Sequence, residues 1–379
     1  MRLNKKNILL ISGIIISIIC TWLFARKIEW DHLSKALREA NYVYVLPAII
    51  IIFASHYVRA IRWSSLITPI KKVSILNLFS ATMIGFMASN ILPARVGEII
   101  RPIIIGKKEN IKMTACIATI VVERIFDILS LIIVTSILLF FMPLDNVHKK
   151  DNSIIKNAKE YAEDQGPKDL NENSLANTHT SNKTDETDSS TIRQLRKWSI
   201  VLTFVGILAI VSLFLLSTYP EKSSVITEKL IFFLPHNIKD KVINLLHAFI
   251  SGLQILDNKK QLLWIGILSL IVWMLNAAGV YVLSYSFNIG LSFAGACFVI
   301  VCLAIAIALP QAPGFIGVFH IATQKSLDIF GVGLASAQSY AIVLWTINVI
   351  PVIIVGLLFL WREGMHLGDL SIRAEKPEQ

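Results

Sequence analysis

Ionisable side chains stand at two places where an apolar chain ordinarily carries none. VVERIFDIL (residues 121–129) sets Glu123, Arg124 and Asp127 inside a long apolar run, and ILPARVGEIIRP (residues 91–102) meets Arg95, Glu98 and Arg101 directly after a proline break. An ionised residue near the centre of a membrane helix costs about 2.5 to 3.5 kcal/mol on insertion scales, so three unpaired ones would cost about 8 to 10. They must be paired or wet. Glu123 and Asp127 are at i,i+4 and Arg124 and Asp127 at i,i+3, which allows local balance on one helix face, and Arg95 or Arg101 is the expected partner of the remaining carboxylate. The chemistry open to this set is charge-assisted binding of a headgroup. Arg95 and Arg101 would donate to phosphate, Glu98, Glu123 and Asp127 would orient those arginines or pair a cationic group, and Arg124 would balance the carboxylates. A purely structural ion-pair network is the competing reading.

Three further features bear on the same chemistry. Arg59 and Arg62 are i,i+3 neighbours at the end of an apolar run, either snorkelling to headgroups or lining a path to an anionic one. LPQAPGFIGVFH (residues 309–320) repeats the Leu-Pro, three residues, Gly pattern of the first break, so Pro93 and Gly97 have counterparts in Pro310 and Gly314. Pro93, Pro310 and Pro313 are expected to fix the breaks, and Gly97, Gly314 and Gly317 to allow close backbone approach. His320, in the second break, is the one group there that titrates near neutral pH, against the commoner structural role of a buried histidine. No metal constellation, nucleotide motif or activated nucleophile accompanies these residues. The expectation is therefore no catalytic residue, no metal and no cofactor.

The elements that must position these groups are membrane spans. The chain has 379 residues, 54% hydrophobic and 16% charged, and a mean hydropathy of +0.63, far more apolar than a soluble protein. Apolar segments at about 8–25, 42–63, 74–92, 114–142, 198–218, 262–286, 292–309 and 335–361 approach the ~20 residues that cross a bilayer as helix. The fold class is all-α polytopic membrane protein, since open strands would leave backbone groups unpaired in lipid. The net charge of +10 comes from basic residues scattered through short loops. They read as topology signals and headgroup anchors rather than a nucleic-acid surface. Cys20, Cys116, Cys297 and Cys302 lie within apolar segments without metal-ligand spacing and read as packing residues.

Along the chain, Arg2, Lys5 and Lys6 precede a first apolar run too long for a typical signal sequence and without a small-residue cleavage site, so an uncleaved span with its N-terminus inside is expected. Residues 26–41 mix both charges and read as a short amphipathic helix on the outer surface. Residues 74–92 enter from the cytoplasm, Pro93 ends the helix, and residues 94–105 are too short to cross before the polar turn 106–110. A re-entrant hairpin is the economical arrangement, with its broken helix ends aimed at a cavity. Residues 144–197, with nine basic and ten acidic residues, read as a disordered outer loop. Residues 221–260 read as interfacial amphipathic helices broken at Pro235. Residues 292–330 then repeat the break, followed by a last span.

The whole reads as a single integral membrane domain: a first half 1–142, an extracytoplasmic loop 144–197, a second half 198–361 and a cytoplasmic tail 362–379. Placing Val332 on Ile111 sets Asn348 on Asp127 and Trp345 on Arg124, so the second half keeps the prolines and glycines but loses the charge. Positive-inside reasoning makes the two halves inverted repeats, each with a Pro/Gly-broken re-entrant hairpin; parallel repeats whose short segments cross fully are the alternative.

LPARVGEIIRP, VVERIFDIL and LPQAPGFIGVF with the following FGV (residues 330–332), in this order and spread over residues 8–361, resemble the flippase-like membrane domain of lysylphosphatidylglycerol synthases. The resemblance implies a polytopic lipid translocase or lipid-handling domain of the cytoplasmic membrane. Two departures stand out: the position of His320 is commonly Glu in such proteins, and the Arg often found near Trp345 is absent. The chain ends at Gln379 with no soluble aminoacyl-transferring domain, so lysyl transfer is not expected.

The expected function is thus a translocase that binds an anionic, aminoacylated or lipid-linked amphiphile by its headgroup between two broken-helix hairpins, with both termini cytoplasmic. The alternatives are an intramembrane lipid-modifying transferase and a non-transporting subunit of an envelope glycosyltransferase or lipid-synthesis enzyme. The expected partner is a membrane phospholipid or lipid-linked substrate, with a membrane enzyme or a second copy of the chain also open.

Overall fold

The computed structural model describes residues 5–26, 28, 30–92, 96–141, 259–308 and 312–365. The expected outer loop, the fifth apolar segment, nearly all of the 221–260 stretch and the distal tail lie outside the described residues, as do Pro93, Arg95 and Pro310. Within them the chain is all α-helix with short 3-10 turns, and it is a polytopic membrane protein.

Among the described residues ten α-helices follow one another: α1 Lys5–Ala25, α2 Trp30–Glu39, α3 Val45–Ile67, α4 Ile75–Ile91, α5 Gly97–Glu109, α6 Met113–Phe141, α7 Lys259–Ser284, α8 Phe293–Ala308, α9 Val318–Asp328 and α10 Leu334–Arg362. Three of the described stretches are long and apolar enough to cross a membrane, Tyr42–Ile67, Lys260–Phe287 and Leu334–Arg362. At 29 residues α6 is as long as α10, and it differs in carrying Glu123, Arg124 and Asp127 within its apolar sequence. The expected amphipathic helix appears as α2, with Leu33 buried and Trp30 exposed.

Two short-helix pairs interrupt the long ones. α4 has 17 residues and α5 has 13, about 26 and 20 Å at 1.5 Å per residue, and neither reaches the ~30 Å of a hydrocarbon core. α8 and α9, with 16 and 11 residues, are the equivalent pair. The return limb is helical, α5 starting at Gly97 and closing on Asn110 in the left-handed conformation at φ 56. Each half has the order long helix, short helix, short return, long helix. The packing follows the same exchange: α4 lies on α10 as α8 lies on α6, and α3 packs on α7 at the centre.

Close approach is built into the first hairpin. A Cβ on Gly97 would fall on the Gly85 carbonyl oxygen, so α4 and α5 touch backbone to backbone. The second hairpin is turned by Gly314 and Gly317, at φ +69 and +83, a region that only glycine enters without strain. Its tip is held from two sides. The Trp345 indole N–H donates to the Gly314 carbonyl at 2.6 Å, and the Ala312 N–H donates to Ser17 Oγ of α1 at 2.8 Å.

Outward-facing large apolar residues such as Leu46, Ile50, Ile354 and Leu358 are exposed, as a lipid-facing surface requires. Apolar clusters from both halves form the interior, one around Trp63, Ile84, Met87 and Ile105 and another around Val299, Phe319, Tyr340 and Leu344.

Candidate functional site

The charged residues of three helices converge. α6 presents Glu123 and Asp127 to the interior, α3 brings Arg59 and Arg62 one turn apart, and α5 contributes Arg101 from the return limb. Arg62 is fully buried. Its Nη1 donates to Asp127 Oδ1 at 2.6 Å and to Ser269 Oγ at 2.8 Å, and its Nη2 lies 3.1 Å from Glu123 Oε1. Arg101 grips Glu123 with both terminal nitrogens, at 3.1 and 3.3 Å, and donates to Thr82 Oγ1 at 3.3 Å. Its guanidinium also stands 4.6 Å over the Trp63 ring, an added attraction for a desolvated cation. Arg124 donates to Glu123 Oε1 at 2.7 Å and approaches Asp127 at 3.4 Å and Glu98 at 3.8 Å.

Each buried carboxylate is therefore shared. Glu123 has three guanidinium partners, Arg62, Arg101 and Arg124, and Asp127 also has three, Arg59, Arg62 and Arg124. Four guanidiniums face three carboxylates among the described residues, and the third carboxylate, Glu98, has only one long contact. The Nε atoms of Arg59, Arg62, Arg101 and Arg124 are all buried without a hydrogen-bond partner. Each guanidinium carries five N–H donors, so donors outnumber acceptors, the reverse of the carboxylate excess that α6 alone presents.

The cluster forms one wall of a cavity of about 410 Å³ between the two halves. Arg59, Glu98, Arg101, Arg124 and Asp127 line it; Glu123 and Arg62 stand behind them. Snorkelling does not describe Arg62, whose side chain is 0% exposed and paired with Glu123 and Asp127 within the protein. Arg59, 11% exposed, reaches the cavity and lies 5.7 Å over the Phe86 ring. Gly97 and Glu98 open α5 at the cavity wall, so the positive end of that helix faces inward.

The rest of the lining is neutral. His56 of α3, Trp273 and Asn276 of α7 and Asn348 of α10 supply polar groups, while Ile128 and Leu131 of α6 and Ile300, Leu303 and Ile307 of α8 supply an apolar side. Sequence reasoning singled out none of the first three, since each is a lone polar residue in an apolar span. Their one legible signal is spacing: His56 is i−3 to Arg59 and Trp273 is i−3 to Asn276, which puts each pair on one helix face. Asn348, which the internal alignment sets on Asp127, lines the cavity as Asp127 does.

His320 is not brought to this site. It lies buried on α9 in an aromatic pocket, its ring 5.1 Å from Phe24 and 5.7 Å from Trp345, with Nδ1 accepting the Gly317 N–H at 3.4 Å. Trp345 is committed to the hairpin backbone through its indole N–H. Gly314 and Pro313 shape the hairpin tip, and the Gly314 backbone abuts the Asn90 carbonyl of the first hairpin.

The family described as Lysylphosphatidylglycerol synthase TM region matches residues 10–150 and 189–356. None of the curated proteins matches the chain. The family match takes in both hairpins, α6 and α10, the elements from which the charged cavity is built. On that coverage of most of its length, the chain belongs to the Lysylphosphatidylglycerol synthase TM region family and is a membrane protein related to lipid-modifying synthases.

Proposed function

We propose that the protein binds the anionic headgroup of a membrane lipid in the central cavity and carries it from one leaflet to the other. The observation that carries this reading is the guanidinium surplus on the cavity wall: Arg59, Arg101 and Arg124 line it against the two carboxylates Glu98 and Asp127, and the N-terminus of α5 points the same way. A phosphate oxygen entering there satisfies donors that the protein's own carboxylates leave over. The apolar wall supports a lipid rather than a free anion. α6 and α8 pack together through Val134, Leu138, Cys297 and Val301, while further along Ile128 and Ala308, both exposed, line the cavity. A headgroup inside would have its acyl chains leaving between those two helices.

The repeated helix order supports alternating access by movement of one half against the other. Inverted halves with both termini in the cytoplasm, in the cell membrane, complete the proposal.

Reconstitution tests it. Liposomes containing the purified chain and fluorescent phosphatidylglycerol are expected to expose the label to an impermeant quencher faster than protein-free liposomes, and Arg59→Gln with Arg101→Gln to abolish the difference. Equal rates with and without protein overturn the translocase reading. A change in the mass of the lipid shows a transferase instead.

A further inference from the structure

The neutral wall of the cavity names the rest of the headgroup. It carries donors and acceptors but no charge. Trp273 Nε1 and His56 Nδ1 are buried without a hydrogen-bond partner. Asn276 spends one amide N–H on the Val272 carbonyl at 2.8 Å and takes the Ser55 hydroxyl on its oxygen at 3.2 Å, leaving its second N–H over. Asn348 likewise spends one N–H on Leu344 at 2.8 Å. An orphaned buried donor is costly, so a ligand that satisfies this set gains where a bare phosphate does not. Phe86 links the two walls: its ring lies 4.7 Å from the His56 ring, and Arg59 and Arg101 stand over it at 5.7 and 5.8 Å. The neutral groups thus begin one ring's width from the guanidiniums.

The carboxylates settle what the substituent is not. Asp127 and Glu123 each already hold three guanidiniums, and Glu98, half-exposed, faces Arg124. An ammonium on the headgroup would enter a field of surplus positive charge, in which Glu98, already 3.8 Å from Arg124, is among the described residues the one lining carboxylate with a single arginine partner.

We infer that the cavity selects a lipid phosphodiester whose substituent is neutral and hydroxylated, such as glycerol, inositol or a sugar, with the phosphate on Arg59, Arg101 and Arg124 and the hydroxyls on Trp273, Asn276, His56 and Asn348, and that it discriminates against aminoacylated, cationic headgroups. This rests on the reading of the cavity as a headgroup site. It departs from what the family's description alone suggests, because the charge sits on the wrong side for a lysyl group.

Binding to the purified full chain in nanodiscs, followed by native mass spectrometry, tests it with four probes: phosphatidylglycerol, its lysyl ester, phosphatidic acid and soluble glycerol 1-phosphate. Phosphatidylglycerol is expected to bind at least tenfold tighter than the lysyl ester. Trp273→Phe, which keeps an aromatic ring without the N–H, and Asn276→Leu, which keeps the branched shape without the amide, are expected to lower the ratio of phosphatidylglycerol to phosphatidic acid affinity about fivefold each, the scale of one neutral hydrogen bond. Soluble glycerol 1-phosphate is expected not to displace the lipid, and displacement at equal concentration would move the ligand from lipid to free phosphate ester. Lysyl ester binding as tightly as phosphatidylglycerol, or an unchanged affinity ratio in both variants, overturns the inference while leaving a headgroup site standing. If no probe binds more tightly to wild type than to Arg59→Gln/Arg101→Gln, the headgroup reading falls and this inference with it.

Discussion

Arg101 and Glu123 clasp one another through two hydrogen bonds, at 3.1 and 3.3 Å, and the clasp joins the first hairpin to α6. It fixes the return limb, which carries the cavity's N-terminal helix end, to the helix that carries the carboxylates. Breaking it should disturb both stability and binding.

Glu123 is the most heavily used anion in the cluster. Glu123→Gln leaves Arg62, Arg101 and Arg124 sharing one fewer charge in a buried setting, and loss of one partner from such a network costs about 3–5 kcal/mol. Arg124→Gln, at a position 35% exposed, should cost about 1 kcal/mol or less. Denaturant or thermal unfolding in detergent, read by circular dichroism, checks the order; equal losses would show that the network is not centred on Glu123.

Gly97 should tolerate no side chain. A Cβ there meets backbone of α4, which cannot swing away as a flexible side chain can, so Gly97→Ala should destabilise by about 1–3 kcal/mol through forced separation of α4 and α5. Gly290, where an added Cβ meets nothing within 4 Å, is the control and should change by about 0.5 kcal/mol or less. Melting temperatures of the two variants decide it.

His320 belongs to the packing of α1 against the second hairpin. His320→Phe keeps an aromatic ring between Phe24 and Trp345 and should leave the affinity for phosphatidylglycerol unchanged. Arg59→Gln should lower that affinity at least tenfold. A parallel loss in both variants would place His320 in the site.

The polar turn at the end of α5 should be acid-sensitive. Hydrogen bonding from the Asn77 amide at 2.8 Å, aided by the Lys71 ammonium, holds Glu109 below its ordinary value of 4.5. A carboxyl depressed in the folded state contributes stability that is fully present above 4.5 and is lost as pH falls through the lower folded value. The difference in melting temperature between wild type and Glu109→Gln should therefore be constant from pH 7 to pH 5.5 and shrink below pH 4.5. A difference that persists at pH 3 would assign Glu109 a role independent of its charge.

Residue types and spacing were enough to read the class and the punctuation of this chain. Hydropathy gave membrane helices because only closed backbone hydrogen bonding survives in lipid, and Leu-Pro marked the ends of α4 at Ile91 and α8 at Ala308, whereas Pro102 and Pro351 sit inside helices. The presence of an intramembrane charge cluster was legible for the same reason: Glu123, Arg124 and Asp127 are too costly to stand unpaired. Their local spacing also foretold the Arg124–Asp127 contact, which lies within one helix turn. The partners across helices were not legible. Periodicity fixes which face of a helix a residue occupies, but not which other helix covers that face. Only packing decided that Arg62 is buried against Ser269, that the arginines outnumber the carboxylates at the cavity, that Trp273 and Asn276 face them from the other half, and that His320 is turned away toward Phe24.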